Sequence, residues 1–302
     1  MGKIYDVVVV GGGPAGLTAA LYALRNGKSV AIIEKSVFGG QIANSPKVEN
    51  IPGFESISGD EFGDLMLNQV VKQGGEVIFD EVMKLEEGSP CKVILDMSEP
   101  LEGLTVILAT GTKHRTLNLE NEEQLIGKSI HFCAVCDGNF YKDKKVVMIG
   151  GGNSAFVEAN LLADIVNQLV ILQDMPYFTA EAKLQEQVLV KDNVETHVNT
   201  KILGYELKDG LLTGVRYLEN EEEKLVECDG VFLAVGLIPD NDRFSEVADI
   251  DQRGYFVSDE YGLTKTKNIF VAGDCRSKKL RQVATACSDG ANAAIEACNY
   301  LG

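Results

Sequence analysis

The feature that most restricts the fold of this chain lies in its first 16 residues. An apolar, β-branched run over residues 4–10 leads into a glycine-rich turn that contains Gly11, Gly13 and Gly16. The run predicts a parallel strand buried on both faces, and residues 17–25 predict a helix. Glycines in such a turn let backbone amides approach a pyrophosphate, and the N-terminus of the helix supplies positive potential. The pattern therefore predicts a dinucleotide-binding unit in an α/β fold.

A second apolar strand, over residues 29–33, ends at Glu34. Glu34 follows Gly11 by 23 residues, the spacing at which a carboxylate accepts hydrogen bonds from the hydroxyls of an adenosine ribose. Because strand, glycines, helix, strand and acid occur in order, the pattern is much more specific than an isolated glycine motif.

The same arrangement recurs in the middle of the chain. Residues 146–149 form an apolar strand, Gly150, Gly152 and Ala155 repeat the turn, and residues 169–172 form the next strand. The position equivalent to Glu34 is Gln173, again 23 residues after the first glycine of the turn. The repeat predicts two Rossmann-like domains of the three-layer ββα type.

Cys133, Cys136 and Asp137 form the candidate reactive group. A CxxC pair can close a reversible disulfide, and an adjacent carboxylate can move the proton that opening it requires. Half of a zinc site or two idle thiols would have the same spacing. His131 adds only a third ligand, so we expect no metal, and we expect the other five cysteines to be small buried hydrophobes.

Length and charge exclude several classes of function. A chain of 302 residues holds about two domains, and the net charge of −17 argues against a nucleic-acid partner. No apolar run approaches the roughly 20 residues that span a bilayer. A strand that starts at residue 4, with no preceding signal peptide, and scattered cysteines predict a cytoplasmic protein with reduced thiols.

Periodicity predicts the remaining elements only coarsely. It indicates a helix over 60–74, strands ending at Gly111, Gly236 and Gly273, an acidic hairpin turn over 219–223 and a helix over 281–300. Asp274 either accepts from a ribityl-type hydroxyl or caps its own region, and the pattern does not separate these two roles.

With these residues identified, the whole chain resembles the low-molecular-weight thioredoxin reductases. The matching motifs are GGGPAG at 11–16, GGQ at 39–41, VENIPGF at 48–54, ATG at 109–111, CAVCDG at 133–138, GGGNSA at 150–155, GDC at 273–275 and RQV at 281–283. Motifs in this order over nearly the full length are highly specific.

The resemblance implies FAD in a discontinuous domain, residues 1–112 and 243–302, interrupted by a pyridine-nucleotide-type domain, residues 113–242, that carries the redox cysteines. The residues it implies for FAD binding are Gly11, Gly13, Pro14, Ala15, Gly16, Glu34, Gly40, Gln41, Asn50, Val82, Ala109, Thr110, Gly111, Gly273, Asp274, Arg281, Gln282 and Val283.

The resemblance also implies the chemistry and the partners. Reduced flavin passes two electrons to the Cys133–Cys136 disulfide, and Cys136 is the cysteine nearer the flavin. Cys133 then attacks the disulfide of thioredoxin, and Asp137 resembles the acid catalyst of the family. A homodimer and a rotation of the two domains are implied in the same way.

The chain departs from the NADPH-dependent members of the family where they bind the 2′-phosphate. Those members have several arginines after the second glycine turn, whereas this chain has Gln173, Asp174 and Met175, and no Lys or Arg from 146 to 182. A phosphate would lack charge-assisted donors there. We therefore disfavour NADPH and favour reduced ferredoxin as the donor, as in the ferredoxin-dependent flavin thioredoxin reductases. Lys278, Lys279 and Arg281 form the one compact basic candidate for its docking.

Other functions remain open at this level. NADH could use the retained glycine turn, which would make the chain an NAD(P)H-dependent thioredoxin or dithiol oxidoreductase. A small-molecule dithiol oxidase has the same scaffold and CxxC pair. In a different class, a non-catalytic flavin-binding redox sensor would also keep the disulfide and lose the nicotinamide site.

Overall fold

The structure is a computed structural model that describes residues 3–45, 48 and 50–302, without the side chains of Asn44, Val135 and Cys136. The chain divides into two compact units. Unit 1 comprises the residues up to Lys113 and those from Ile238 onward, and unit 2 is His114–Leu237. The two junctions lie one and five residues inside the domain limits expected from the sequence. The second shift has a local cause, because the Asn241 side chain donates to the Cys275 and Gly254 carbonyls at 2.8 and 2.9 Å, within unit 1.

Unit 1 is built on one mixed sheet. With elements numbered along the whole chain, it comprises β1 (Ile4–Val10), α1 (Pro14–Arg25), β2 (Val30–Glu34), α2 (Gly59–Lys72), β3 (Glu76–Phe79), β4 (Val82–Glu86), β5 (Cys91–Leu95), β6 (Leu101–Leu108), β17 (Ile269–Val271) and α7 (Val283–Leu301). The strand order is β3-β2-β1-β6-β5-β4, and β17 also pairs with β6. Strands β4 and β5 join it as antiparallel additions, while β1, β2, β3, β6 and β17 are parallel.

The first strand is the centre of this sheet, as its sequence predicts. Residue Val10 is aligned with Ile33 of β2 on one side and with Leu108 of β6 on the other. Val7, Val8 and Val9 have no exposed surface, which is the expected state of a strand covered on both faces. Parallel pairing on both sides brings the C-terminal ends of β1, β2 and β6 to one edge of the sheet, where ligands bind in folds of this type.

Helix α1 begins earlier than periodicity predicts, at Pro14, because proline is well suited to a first helical turn. Its buried face packs closely on α7. An added Cβ at Gly290 of α7 would lie 2.1 Å from the Ala15 carbonyl oxygen of α1. The two helix backbones therefore approach closely only because residue 290 has no side chain.

Unit 2 repeats the parallel core on a smaller scale. It comprises β8 (Ile130–His131), α4 (Ala134–Asp137), β9 (Lys145–Ile149), α5 (Asn153–Ala163), β10 (Gln168–Leu172), α6 (Ala182–Leu189), β11 (Val194–His197), β12 (Thr200–Lys208), β13 (Leu211–Glu219), β14 (Glu222–Glu227) and β15 (Gly230–Leu233), with the short α3 (Glu122–Leu125) before them. The parallel sheet has the order β11-β10-β9-β15-β8, and β12-β13-β14 form a separate antiparallel sheet. The strands β7 (Lys113–His114) and β16 (Leu237–Ile238) pair at the junctions.

Several details of the sequence interpretation change. The acidic hairpin is confirmed, with its turn at Asn220 and Glu221 between β13 and β14. Residues Gly40–Asn44 form a 3-10 helix that periodicity did not indicate. The strand expected to end at Gly111 ends at Leu108, so that residues 109–111 lie beyond the sheet edge, beside the glycine turn.

The contact between α1 and α7 gives a stability prediction. The substitution Gly290→Ala places a methyl group against the Ala15 carbonyl, and we expect the free energy of unfolding to fall by about 1–3 kcal/mol. Thermal unfolding followed by circular dichroism should show a midpoint several degrees lower. The exposed residue Ser288 of the same helix provides the control, since Ser288→Ala should leave the midpoint unchanged or slightly higher. Equal midpoints for Gly290→Ala and the wild type would contradict the close approach.

Candidate active site

The glycine turn after β1 forms an open cradle. Gly11 has a positive φ of 108°, and a Cβ there would lie 2.2 Å from the Ala109 carbonyl oxygen. A Cβ at Gly16 would lie 1.9 Å from the Gly11 carbonyl oxygen, so the helix packs directly on the turn. A Cβ at Gly13 would instead meet open space, because its nearest atom, the Gly40 Cα, would lie 3.9 Å away. The turn thus combines a tight backbone with an open side at the helix N-terminus, which suits a pyrophosphate.

Glu34 lies beside this turn in a fixed orientation. Its Oε2 accepts from the Gly12 amide at 2.7 Å, and its Oε1 accepts from the Ser36 amide at 2.8 Å and the Ser36 hydroxyl at 3.0 Å. The residue is 9% exposed. Each carboxylate oxygen retains acceptor capacity, so the group fits two ribose hydroxyls without moving.

A cleft with an empty volume of about 430 Å³ opens beside Glu34. Three further residues predicted to bind FAD, Gly11, Val82 and Thr110, line the same cleft. Sequence reasoning did not find the charged residues at its wall. The Arg243 guanidinium donates to Glu81 at 2.6 Å and forms an ion pair with Asp240 at 3.1 Å. Pairing of separated segments carries no local sequence signal, so these residues could not be recognised from spacing.

The other predicted FAD residues fall into neighbouring groups within unit 1. A Cβ at Gly40 would lie 3.1 Å from the Gly13 Cα, and one at Gly273 would lie 2.7 Å from the Ala15 Cβ. These contacts join the segments around 13, 40 and 273, and Ala109 touches Gly11. In the remaining segments, Asn50 donates to Gln282 at 2.8 Å and Gln41 donates to the Thr112 carbonyl at 3.2 Å. Pro14 and Val283 are the first residues of α1 and α7, respectively, and Gly111 follows Thr110.

The prediction that Lys278, Lys279 and Arg281 form a basic docking surface is wrong. The Lys278 ammonium forms ion pairs with Asp274 at 3.1 Å and Asp289 at 3.0 Å, and its side chain is only 8% exposed. Although burial raises the pKa of Asp289, hydrogen bonds from Arg276 and Lys278 hold it below its usual value. The positive charge of Lys278 is therefore used inside unit 1.

Arg281 is also engaged internally. Its guanidinium lies 4.0 Å from the centre of the Tyr255 ring and donates to the Asp274 carbonyl at 3.3 Å. Of the three basic residues, only Lys279 is exposed. Sequence proximity alone does not show which charges the fold neutralises.

The second turn has the same backbone geometry as the first but different surroundings. Gly150 has a positive φ of 125°, and its Cβ would lie 2.4 Å from the Ala234 carbonyl oxygen, as Gly11 does with Ala109. Gln173 and Phe178 pack against Gly151, where Glu34 and Phe38 pack against Gly12. Gln173 is 4% exposed, so an uncharged amide is buried at the place where a ribose-binding acid would be expected.

An acidic residue also lies at the start of helix α5. The Glu181 amide donates to the Asn153 side chain at 2.7 Å, and the Asn153 amide donates to the Glu181 carboxylate at 3.2 Å. Asn153 is the first residue of α5. A carboxylate is thus held where the positive end of the helix would otherwise attract a pyrophosphate.

The redox cysteines lie between β8 and α5 in unit 2. Cys133 is disulfide-bonded, and its carbonyl accepts from the Asp137 amide at 3.1 Å across the short helix α4. The side chain of Cys136 lies outside the described part of the structure. The Asp137 carboxylate lies 3.1 Å from His131 Nδ1. Sequence spacing had suggested His131 only as a weak metal ligand.

A second carboxyl group reaches the same helix. The Ala134 amide donates to Glu158 Oε2 at 3.2 Å. Burial, with a smaller contribution from the Asp137 charge, raises the pKa of Glu158 to about 7, although the Ala134 hydrogen bond lowers it. Sequence reasoning missed Glu158, which belongs to the helix after the second turn and reaches α4 only in the folded unit.

The remaining cysteines are free thiols. Cys91, Cys228, Cys275 and Cys298 are buried as predicted, whereas Cys287 is half-buried. Burial raises the pKa of the Cys228 thiol to about 12 and raises those of the other four. Such thiols are poor nucleophiles at neutral pH, so the reactive sulfur chemistry belongs to the CxxC segment.

The described residues lack two further kinds of feature. They contain no group of three or more His, Cys, Asp or Glu side chains that could hold a metal ion. Within the same part of the chain, helices long and apolar enough to cross a membrane are absent.

Comparison with known proteins places this geometry in one family. The model of the pyridine nucleotide-disulphide oxidoreductases matches residues 5–290. The chain therefore belongs to the pyridine nucleotide-disulphide oxidoreductase family. Members of this family bind FAD, and the open glycine turn with its fixed Glu34 fits that cofactor.

Within this family the chain is similar to thioredoxin reductases. It is 36% identical over 301 residues to the thioredoxin reductase of Listeria monocytogenes, covering 99% of this chain and 94% of that protein. The crystal structure of Lactococcus lactis thioredoxin reductase has a TM-score of 0.93 and 32% identity, over 98% of this chain and 99% of the other. T. acidophilum thioredoxin reductase has a TM-score of 0.92 and 34% identity, over 99% of both chains. The family resemblance and the α/β fold inferred from sequence are confirmed.

Substitutions at equivalent positions of the two turns should affect FAD binding differently. We expect Glu34→Gln to weaken FAD binding roughly 10- to 100-fold, because charge-assisted hydrogen bonds to the ribose become neutral. Fluorescence titration of the deflavinated protein with FAD measures this affinity. Gln173→Ala, at the equivalent position of unit 2, is expected to leave the affinity unchanged. If both variants bound FAD as tightly as the wild type, the assignment of the first turn would be wrong.

Proposed function

We propose that this chain is a flavin-dependent thioredoxin reductase in which reduced ferredoxin is the favoured electron donor. The observation that carries the proposal is the disulfide-bonded Cys133 beside Asp137, in a chain related to thioredoxin reductases over its whole length. The five other cysteines are free, so a disulfide at Cys133 is consistent with a dedicated redox pair rather than a general oxidising environment.

The cofactor belongs to unit 1 in this proposal. The glycine turn would hold the pyrophosphate of FAD, Glu34 the adenosine ribose, and the segments around 40, 110 and 273 the rest of the molecule. When bound, FAD supplies the two electrons that reduce the disulfide of Cys133 and Cys136.

The thiol chemistry then follows from the chain's own residues. The Cys133 thiolate attacks the disulfide of thioredoxin, forming a mixed disulfide and releasing one thioredoxin sulfur, which takes a proton from the Asp137 carboxyl. The Cys136 thiolate attacks the mixed disulfide, which re-forms the Cys133–Cys136 bond and releases the second sulfur, protonated from solvent. Two thiols of the enzyme are oxidised and two thiols of thioredoxin are formed.

The second turn supports a donor other than NADPH. The stretch from 146 to 182 has no basic residue to pair with a 2′-phosphate, and each lost charge-assisted hydrogen bond is worth roughly 1.5–3 kcal/mol. Gln173 is buried against Gly151, and Glu181 is bonded to Asn153 at the start of α5. A dinucleotide phosphate would therefore meet negative charge instead of a free helix terminus.

Ferredoxin is favoured over NADH on this indirect ground. The retained backbone of the Gly150 turn still permits NADH, but the ribose position has no acid. Since the Lys278 cluster is neutralised internally, the docking site for an acidic donor is not defined by that segment. We extend the family resemblance to a homodimer in the cytoplasm.

Anaerobic reduction of the bound flavin separates the donors. Reduced ferredoxin, NADH and NADPH are offered separately to the holoprotein, and the loss of flavin absorbance is recorded. We expect rapid bleaching with reduced ferredoxin and at least 100-fold slower bleaching with micromolar NADPH. Fast bleaching by NADPH would overturn the interpretation of the second turn.

The redox pair has its own test. Cys136→Ser is expected to retain yellow, bound flavin and to lose catalytic reduction of thioredoxin, because the disulfide can no longer form. Cys287→Ser, at the half-buried free thiol, is the control and should remain active. Reduction of only one equivalent of thioredoxin by the wild type would favour a redox sensor, while normal turnover by Cys136→Ser would remove the assigned mechanism.

A further inference from the structure

A row of three polar side chains leads from the interior of unit 2 to the redox segment. His131 Nδ1 lies 3.1 Å from Asp137 Oδ2, and His131 Nε2 lies 2.8 Å from the Tyr141 hydroxyl. His131 and Tyr141 are 6% and 5% exposed. The Asp137 side chain is 29% exposed, so the row has a buried end at tyrosine and a solvent-facing end at the carboxylate.

The imidazole packs against two aromatic rings. Its centroid lies 5.5 Å from that of Phe232 and 5.4 Å from that of Tyr141, the second pair in a T-shaped arrangement. Tyr141 in turn packs against Gly230, where an added Cβ would lie 2.2 Å from the tyrosine ring. His131 is therefore set by the β8–β15 edge of the sheet and not by the cysteine segment that it contacts.

The protons of the row are consistent with one arrangement. Burial, followed by the charge of Asp137, raises the pKa of Tyr141 to about 12, so its hydroxyl is neutral and can donate. The nearer acceptor is His131 Nε2, since the Lys128 carbonyl lies at 3.4 Å. A hydroxyl proton directed to Nε2 leaves the imidazole hydrogen on Nδ1, directed at the Asp137 carboxylate.

We propose that His131 is a positioning residue for thiol–disulfide exchange, which holds the Asp137 carboxylate beside the redox cysteines while Tyr141 fixes the tautomer of the imidazole. The inference rests on the proposed function, in which Asp137 gives a proton to the departing sulfur. A carboxyl group at the exposed end of a side chain has several rotamers, and the N–H donor of a buried ring selects one of them.

The row also lies within reach of other charged groups. On α5, Glu158 faces Asp137 across the start of α4. Cys228 and Asp229, which precede β15, act on Tyr141, and the Lys144 ammonium lies 5.6 Å from the centre of the tyrosine ring. Substitutions that leave these groups unchanged isolate the contribution of His131.

His197 is a matched control within the same unit. It lies on β11, at the opposite edge of the sheet from β8, and its two ring nitrogens pair with Glu195 and Glu219 at 2.9 Å. It is thus another histidine paired with carboxylates, and three strands separate β11 from β8, the strand that precedes the CxxC segment. A general effect of losing such a histidine would appear equally in variants of both residues.

The first experiment examines the contact between His131 and Asp137 directly. The chain has three histidines, so long-range ¹H–¹⁵N NMR of histidine-labelled holoprotein can assign each ring with the help of His131→Asn. We expect the His131 ring to carry its hydrogen on Nδ1, a shift of this signal in Asp137→Asn, and no shift of the His197 signal. Hydrogen on Nε2, or a His131 signal that ignores Asp137→Asn, would overturn the inference.

The second experiment measures turnover of thioredoxin. His131→Leu keeps volume but loses the donor, and we expect kcat/KM to fall about tenfold. His131→Asn retains an N–H near the Nδ1 position and should restore kcat/KM, while His197→Asn should match the wild type. Rescue by His131→Asn separates a positioning role from a purely structural one.

The outcomes separate the two proposals. A wild-type protein that reduces no thioredoxin would overturn the proposed function, and the NMR result would still decide whether His131 binds Asp137. If His131→Leu were as active as the wild type, His131 would be structural only. Should both His131 variants lose flavin or unfold, Tyr141→Phe decides, since it removes one hydroxyl. A smaller fall in kcat/KM for this variant supports the inference, and an unchanged kcat/KM overturns it.

Discussion

The contact between the end of the first strand and the segment after β6 determines much of this structure. Gly11 lies against the Ala109 carbonyl so closely that no side chain fits between them. This approach aligns the ends of two parallel strands, directs the turn toward the helix N-terminus and places the Gly12 amide where it holds the Glu34 carboxylate. A bulkier residue at position 11 would displace all three features, because each is set by the same short length of backbone.

The second unit has the same backbone contact with different side chains around it. Gly150 meets the Ala234 carbonyl as Gly11 meets that of Ala109. The backbone geometry of the first turn is therefore repeated, while Gln173 stands where the first unit has Glu34. Fold and ligand recognition are separable here, since the first depends on strand ends and glycines and the second on a few side chains around them.

Sequence reasoning succeeded where one local pattern carries the information. The strand before Gly11, the position of Glu34 and the internal repeat were all predicted correctly from spacing. It failed where the fold brings distant charges together, as in the pairing of Lys278 with Asp289, which removed an expected surface patch. Neither Glu158 nor the Tyr141–His131–Asp137 row could be anticipated, because these contacts depend on how helix α5 and strand β15 pack beside the cysteine segment.

The discontinuity of unit 1 has a consequence for synthesis of the chain. Strand β17 and helix α7, which complete the sheet beside β6 and cover α1, come from the last 34 residues. Unit 2 is continuous and complete once residue 237 has left the ribosome. The nascent chain therefore finishes its inserted unit while the alanine-rich face of α1 still lacks its cover, and chaperone protection is most needed during this interval.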